Sequence, residues 1–583
     1  MKELIEQNLA AAIDQYLLEN SIQLEEKPIA LVERTKDPRH GDFSTNVAMI
    51  MAKPLRRSPK IIAEGIIKHL VKFQHLDKAE NAGAGFINFY LSQNAYFQVI
   101  SEILKLEKNY GQSKHGNNKK VLLEYVSSNP TGPIHIGHGR GAAYGSVLAN
   151  LLTTIGYSVT RESYVNDTGR QIDILIVSVW LRYLQLQLKN KITLPDNAYH
   201  GQYVIDIANE IYNQHPELPQ PNSKELISVI DDHTDEDKKL DHIINQAKLT
   251  LNQYYTDVLL PKSLDAILTI IKQDLGDFGV SFDNWFSEQS LIEKGLINKC
   301  IKKLESKGTI YEQNGAKWFN SSNYGDEKDR VVVRDNGQTT YFASDIAYHA
   351  DKYSRGYDKI INIWGADHHG YISRVKGALS ALGEDPEKLI ILLVQFATLY
   401  EGKRKLKMST RSGDYVTLKQ LREEVGNDAT RFFYVMRRAE QHLDFDLELA
   451  KSASNDNPVY YVQYAHARIC SVFSQMSERE LAFDNDQGIK NLSKLNNEQE
   501  LSLMKSLSRY GEVLLLAAIN FEPHALSFYL RDLANDFHGY YNSCQFLVDD
   551  LKLRSARLCL IAATRQVIKN GLTLLGVTAP EKM

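Results

Sequence analysis

Val121-Leu-Leu-Glu-Tyr-Val-Ser-Ser-Asn-Pro-Thr-Gly-Pro-Ile-His-Ile-Gly-His-Gly-Arg140 opens as a short β run, apolar except for Glu124, over residues 121–126. A loop rich in Ser, Asn, Pro and Gly follows, and a small-residue helix begins near Gly137. Strand, loop, helix is the opening unit of a parallel α/β domain. Further β runs at 158–164, 330–334 and 359–364, with helical patterns between them, continue that domain across about 118–380. A charged tract rich in Pro and Asn starts at Leu188 and reads as an insertion over about 188–270. Upstream, residues 110–120 are polar and glycine-bearing, which predicts a linker. Residues 1–110 mix helical patterns with alternating stretches such as Gly85-Phe-Ile-Asn-Phe-Tyr-Leu91, an α+β pattern. Downstream, 381–454 is a connecting region. From 455 to 583 the pattern is helical, with Leu503, Met504, Leu507, Tyr510, Val513 and Leu514 at steps of three and four and Pro523 placed to start a new helix. The expected fold is therefore multidomain, α/β plus α, ending in a helical bundle.

A chain of 583 residues suits three or four domains. With 43% hydrophobic and 24% charged residues it has the composition of a soluble globular protein. The net charge of −4 supplies no global basic field, so any nucleic-acid site must be a local patch. The longest apolar runs, 389–394 and 513–519, are far below the roughly 20 residues that span a bilayer. Glu3, Glu6 and Asp14 interrupt the N-terminal apolar face, which argues against a signal peptide. Four scattered cysteines without a CxxC pair fit reduced thiols and give no zinc knuckle. A cytoplasmic protein without membrane attachment is expected.

Two constellations carry chemistry. The first is Pro133-Ile-His-Ile-Gly-His138, with His135 and His138 one helical turn apart, directly after a strand of a parallel sheet, where ligands bind. The helix start offers N–H groups to an anion, and Gly137 lets a flat ring approach the backbone. In a long chain HxGH also arises by chance; its place between strand and helix favours function. The second is Lys403-Arg-Lys-Leu-Lys-Met-Ser-Thr-Arg-Ser-Gly413, with five positive charges in nine residues before a glycine. Such a loop can close on a triphosphate and neutralise charge as pyrophosphate leaves. A solvated basic loop is the plain alternative, and the pairing with HxGH about 270 residues earlier counts against it.

His135-Ile-Gly-His138 and Lys407-Met-Ser-Thr-Arg411 resemble the two signature motifs of class I aminoacyl-tRNA synthetases. The resemblance implies a Rossmann-like catalytic domain that binds ATP and Mg²⁺, with Pro133, Gly137, His138, Gly365, Asp367, His368, Met408 and Ser409 at the nucleotide. It implies that His135, His138, Lys405, Lys407 and Arg411 stabilise the transition state of adenylate formation. One departure stands out: Thr410 replaces the usual second lysine, and Gly132, Pro133 and Ile134 supply none before the histidines.

For the amino acid, zinc-bearing members lack their ligands here, and the spacing between motifs leaves no room for a large editing insertion. A cationic guanidinium needs carboxylates in planar, bidentate geometry. Glu124 and Asp345 lie near strand ends, though an edge carboxylate paired with a lysine, and a core aromatic for Tyr341, are open alternatives. These stretches are similar to the arginyl family, which implies that Glu124, Ser127, Asn129, His135, Tyr341 and Asp345 hold arginine. The likeness extends over Gly41-Asp-Phe-Ser-Thr-Asn46, Asp428-Ala-Thr-Arg-Phe-Phe433 and the ending Leu575-Gly-Val-Thr-Ala-Pro-Glu-Lys-Met583. It implies an N-terminal domain that touches the tRNA elbow, an anticodon-binding helical bundle, tRNA(Arg) as partner and a monomer. Tyr460, Tyr464 and Arg468, with Tyr461 and His466, suit stacking on unpaired bases, and equally suit helix packing. Asp-His-His at 367–369 also occurs in metal-dependent phosphoesterases, but no accompanying DxD element appears, so no metal site is expected. Two rivals are a small-molecule nucleotidyltransferase, which would not need the flanking domains, and a non-catalytic RNA-binding relative.

Overall fold

The run Val121-Leu-Leu123 suits a strand covered on both faces, and in the computed structural model all three side chains are fully buried in the strand Lys120–Glu124. The structure describes residues 2–24, 26–35, 37–70, 75–188, 192–221, 235–402, 404–406 and 416–583. Lys120–Glu124 is the central strand of a five-stranded parallel sheet. The spatial order is Leu389–Val394, Lys359–Gly365, Lys120–Glu124, Ser158–Val165, Asn284–Ser287. Chain order reverses between Lys120–Glu124 and Lys359–Gly365, which makes the crevice at their carboxyl ends the topological switch point. Register sets Asn362 beside Glu124 at that point.

The expected run at 330–334 is a strand, Arg330–Val333, but it does not join this sheet. It pairs antiparallel with Ala316–Phe319 in a separate three-stranded sheet. Only Val332 in it is buried, so it lacks the two covered faces that a parallel strand needs. The edges of the parallel sheet are instead Asn284–Ser287, too short and polar to stand out, and Leu389–Val394, which carries the sheet past residue 380.

The N-terminal unit is a four-stranded antiparallel sheet with the helices Lys2–Glu19, Val47–Leu55 and Pro59–Leu70. The stretch 110–120 is a packed joint rather than a free linker. Its Ser113 and Gly116 N–H groups donate to the carbonyls of Thr154 and Ile155 (3.1 and 2.8 Å), and Tyr110 stacks on Tyr510. The C-terminal bundle comprises Pro458–Glu478, Glu498–Ser508, Tyr510–Ile519, His524–Ser543 and Leu551–Leu575, with Leu503, Met504, Leu507, Tyr510 and Leu514 fully buried. Among the described residues no helix is long and apolar enough to cross a membrane.

Two buried arginines bind these parts together. Arg140 donates to the carbonyls of Gln395, Arg438 and Gln441 at 2.7–2.8 Å, pinning the post-sheet segment against the helix Ile136–Thr154. Arg431 donates to the carbonyls of Leu575 (2.9 Å) and Phe278 (2.7 Å) and to Ser146 Oγ (3.2 Å). Burial lowers both guanidinium groups to about 10, and they stay cationic at neutral pH.

Candidate functional site

At the switch point His135 is the N-cap of the helix Ile136–Thr154, and its Nδ1 accepts from the Gly137 N–H at 3.0 Å. This bond fixes the tautomer, because an accepting Nδ1 carries no proton. The His138 ring stacks on it, 3.7 Å between centroids. Burial lowers the pKa of both, with His138, also facing His135, brought down to about 3. The pair is therefore neutral at physiological pH and acts through hydrogen bonds rather than charge. His138 Nδ1 is buried and makes no hydrogen bond among the described residues.

The basic loop begins and ends beside this helix. Leu406 N–H donates to the Leu399 carbonyl (3.0 Å) on one side. On the other, Ile136 N–H donates to Val416 and Leu418 N–H to Ile134 (3.3 and 2.8 Å). Lys405 is exposed in the strand Arg404–Lys405, whereas Lys407, Met408, Ser409, Thr410 and Arg411 lie outside the described residues.

Facing the histidines is an acidic wall. Glu124, 3% exposed at the end of its strand, accepts from Ser127 Oγ (2.6 Å) and from Lys352 Nζ. Asp345, on the helix Tyr341–Ser354, accepts from the Tyr371 hydroxyl. Burial above all, then Glu288 and Glu124, holds the Asp345 carboxyl up to about 7, against the pull of Tyr371 and Lys352. Glu288, also buried, is raised by desolvation. A cavity of about 280 Å³ is lined by Glu124, Asp345 and His138.

Of the expected residues, Glu124, Ser127, Gly137, His138, Asp345, Gly365 and His368 line this cavity. Asn129, Pro133, His135, Tyr341 and Asp367 do not; Tyr341 is 54% exposed as the first residue of its helix. Gly137 also meets a packing need: a Cβ there would stand 2.8 Å from the His135 ring and 3.3 Å from Phe396. The bare helix surface lies one turn on at Gly141, which lines the cavity and has open space above it. Sequence reasoning missed Tyr164, Tyr348, Lys352, Trp364, Tyr371 and Glu288. Lys352 carried a usable signal, seven residues from Asp345 on one helix face.

On the helix Pro458–Glu478, Tyr460 and Tyr464 are half-buried and stacked (5.8 Å between centroids), and Arg468 lies over Tyr464 and Tyr541, 4.5 Å from each ring. His466 is turned inward and bonds the Pro580 carbonyl, so it belongs to the core.

Residues 99–448 match the family model described as tRNA synthetases class I (R), catalytic domain. Fold and site together thus define a class I aminoacyl-tRNA synthetase. Residues 1–91 match an arginyl tRNA synthetase N terminal domain and 462–583 a DALR anticodon binding domain. The chain is 51% identical over 593 aligned residues to the arginine–tRNA ligase of Hydrogenovibrio crunogenus and 52% over 587 to that of Thioalkalivibrio sulfidiphilus, with full coverage of each. The arginyl-tRNA synthetase of Thermus thermophilus shares the fold (TM-score 0.72, 22% identity, 99% of this chain and 100% of that one covered). The chain belongs to the arginyl-tRNA synthetase family.

Proposed function

We propose that this chain is an arginine–tRNA ligase that works as follows. The carboxylate of L-arginine attacks the α-phosphate of ATP in line, giving arginyl-adenylate and pyrophosphate. The terminal ribose hydroxyl of tRNA(Arg) then attacks the activated carbonyl and releases AMP. No side chain is a nucleophile; the work is orientation and charge stabilisation. The observation that carries this reading is that buried Glu124 and half-buried Asp345 line one cavity at the switch point together with the neutral His138.

In this scheme Glu124 and Asp345 take the guanidinium, with Tyr341 at the rim and Ser127, Asn129 and His135 toward the α-amino and carboxylate end. Pro133, Gly137, His138, Gly365, Asp367 and His368 hold ATP. Lys405, Lys407, Met408, Ser409 and Arg411 meet the phosphates. Mg²⁺ enters with ATP as the counter-ion of its phosphates. Tyr460, Tyr464 and Arg468 contact tRNA, their stacked faces suiting unpaired bases. The division of labour follows 1–110 (tRNA elbow), 118–380 (catalysis, with an insertion over about 188–270), 381–454 (signature loop) and 455–583 (anticodon), in a cytoplasmic monomer.

The test is ATP–pyrophosphate exchange with each of the twenty amino acids, with and without tRNA(Arg). Exchange is expected with arginine as the sole amino acid, and only when tRNA(Arg) is present; exchange with another amino acid, or with a nucleotidyltransferase substrate, overturns the reading.

A pH series adds a second expectation. Arginine binds the ionised form of Asp345, whose pKa is raised to about 7 in the free protein. Affinity is therefore full above pH 7 and declines as pH falls through it, so KM for arginine rises about tenfold per unit on the acid side. KM for ATP does not follow that limb. A flat arginine profile between pH 6 and 8 would exclude Asp345 as the titrating group.

A further inference from the structure

Beneath the acidic wall lies a charge that this scheme does not use. Lys352 is two turns past Asp345 on the helix Tyr341–Ser354, and its side chain has no solvent exposure. Its ammonium donates to Glu124 and to Asn362 Oδ1 (2.8 Å), with the Tyr348 ring 4.2 Å away. Asn362 Nδ2 donates in turn to His349 Nε2 (2.9 Å), and His349 Nδ1 donates to the Asp345 carbonyl (2.8 Å). One bonded chain thus ties Glu124 to the peptide of Asp345. The other charges facing Lys352, Glu162 and Arg355, satisfy each other through two bonds of 2.5 and 2.9 Å. Buried His349, its pKa down at about 3, adds none. Glu124 is therefore the carboxylate that Lys352 bonds, while Asp345 feels its charge only through space.

We propose that Lys352 is a positioning residue for arginine recognition, holding Glu124 ionised and aimed so that the wall meets a guanidinium with its charge already set. A buried carboxylate without a cationic neighbour takes up a proton instead of staying charged. Glu288 and Glu124 both raise the Asp345 carboxyl, so negative charge is crowded here. Lys352 is the cation beneath them that offsets the repulsion, and burial lowers its own pKa while Glu124 first and Glu162 second hold it up. The inference rests on the arginine reading above.

Lys352→Met keeps the apolar stem and removes the charge. In arginine-dependent exchange at pH 7 we expect KM for arginine to rise about tenfold or more, and the acid limb of kcat/KM for arginine to move up by about one pH unit, the equivalent of that factor. KM for ATP stays within about twofold. The double variant Glu124→Gln/Lys352→Met, with no unpaired carboxylate left at Glu124, returns the acid limb toward its original position. Lys352→Gln, which keeps a donor for Glu124 without charge, gives the same upward shift and covers the case in which the methionine variant folds poorly. A folded Lys352→Gln whose acid limb stays in place, or equal losses for arginine and ATP, overturns the proposal and leaves Lys352 a packing residue. If the unaltered protein does not exchange with arginine at all, the arginine reading fails first, whatever the variants do.

Discussion

Asp345→Asn is expected to raise KM for arginine by about 100-fold or more and to leave KM for ATP within about twofold, since unpairing a buried, hydrogen-bonded charge costs about 2–5 kcal/mol. The substitution is isosteric, and the amide oxygen can still accept from the Tyr371 hydroxyl, so the wall keeps its shape. What is lost is the charge that a guanidinium would pair with bidentately. Gly365 and His368, proposed above to hold the nucleotide, make no hydrogen bond to Asp345 among the described residues; its hydroxyl partner is Tyr371. Initial rates of ATP–pyrophosphate exchange with each substrate varied in turn measure both constants. Equal effects on the two would take Asp345 out of the pocket.

His138→Ala is expected to lower kcat for exchange by about 100- to 1,000-fold, the loss typical of one preorganised donor to a developing charge. The ring is neutral, buried and stacked on His135, so it cannot supply a positive charge. Its contribution is a fixed dipole held in place by the stacked His135 ring, already oriented before charge develops. KM for arginine should move far less than kcat, because the carboxylates proposed to hold the guanidinium, Glu124 and Asp345, are left intact. His138→Asn, which restores an amide near the Nδ1 position, should recover part of the rate. A drop of less than about tenfold in the alanine variant would reduce His138 to a packing role.

The central strand, the helix opened by His135 and the helical C-terminal bundle were legible because each has a strong local pattern: a run buried on both faces, a glycine-rich helix start, apolar residues at steps of three and four. The edge strands were not. Asn284–Ser287 is four residues long with one buried side chain, Phe286, and Leu389–Val394 gave length and apolarity without showing its partner. Arg330–Val333 has the right propensity and the wrong neighbour, since propensity does not choose between sheets. In the site, the residues flanking the first strand were found because motif and strand end coincide. Tyr371 and Glu288 come from other segments that only the tertiary fold brings to Asp345, and the tertiary fold likewise brings Lys352, on Asp345's own helix, to Glu124. The sequence reading left Glu124 as either an arginine ligand or a carboxylate paired with lysine. It is paired with Lys352, and it lines the cavity as well.

Arg431 links the order of synthesis to the order of assembly. Its acceptors are Ser146 in the helix Ile136–Thr154, Phe278 just ahead of a strand, and Leu575, the last residue of the final helix. A ribosome delivers these in that sequence, and domains generally fold as they emerge. While residue 575 is still in the exit tunnel, the fully buried guanidinium lacks the acceptor for its Nε, and a charge without its bonds resists burial. The α/β core therefore cannot close fully around Arg431 until the helix Leu551–Leu575 has emerged. A nascent protein that could load a tRNA must already own its last helix, so truncated products fail at the core as well as at the end they lack.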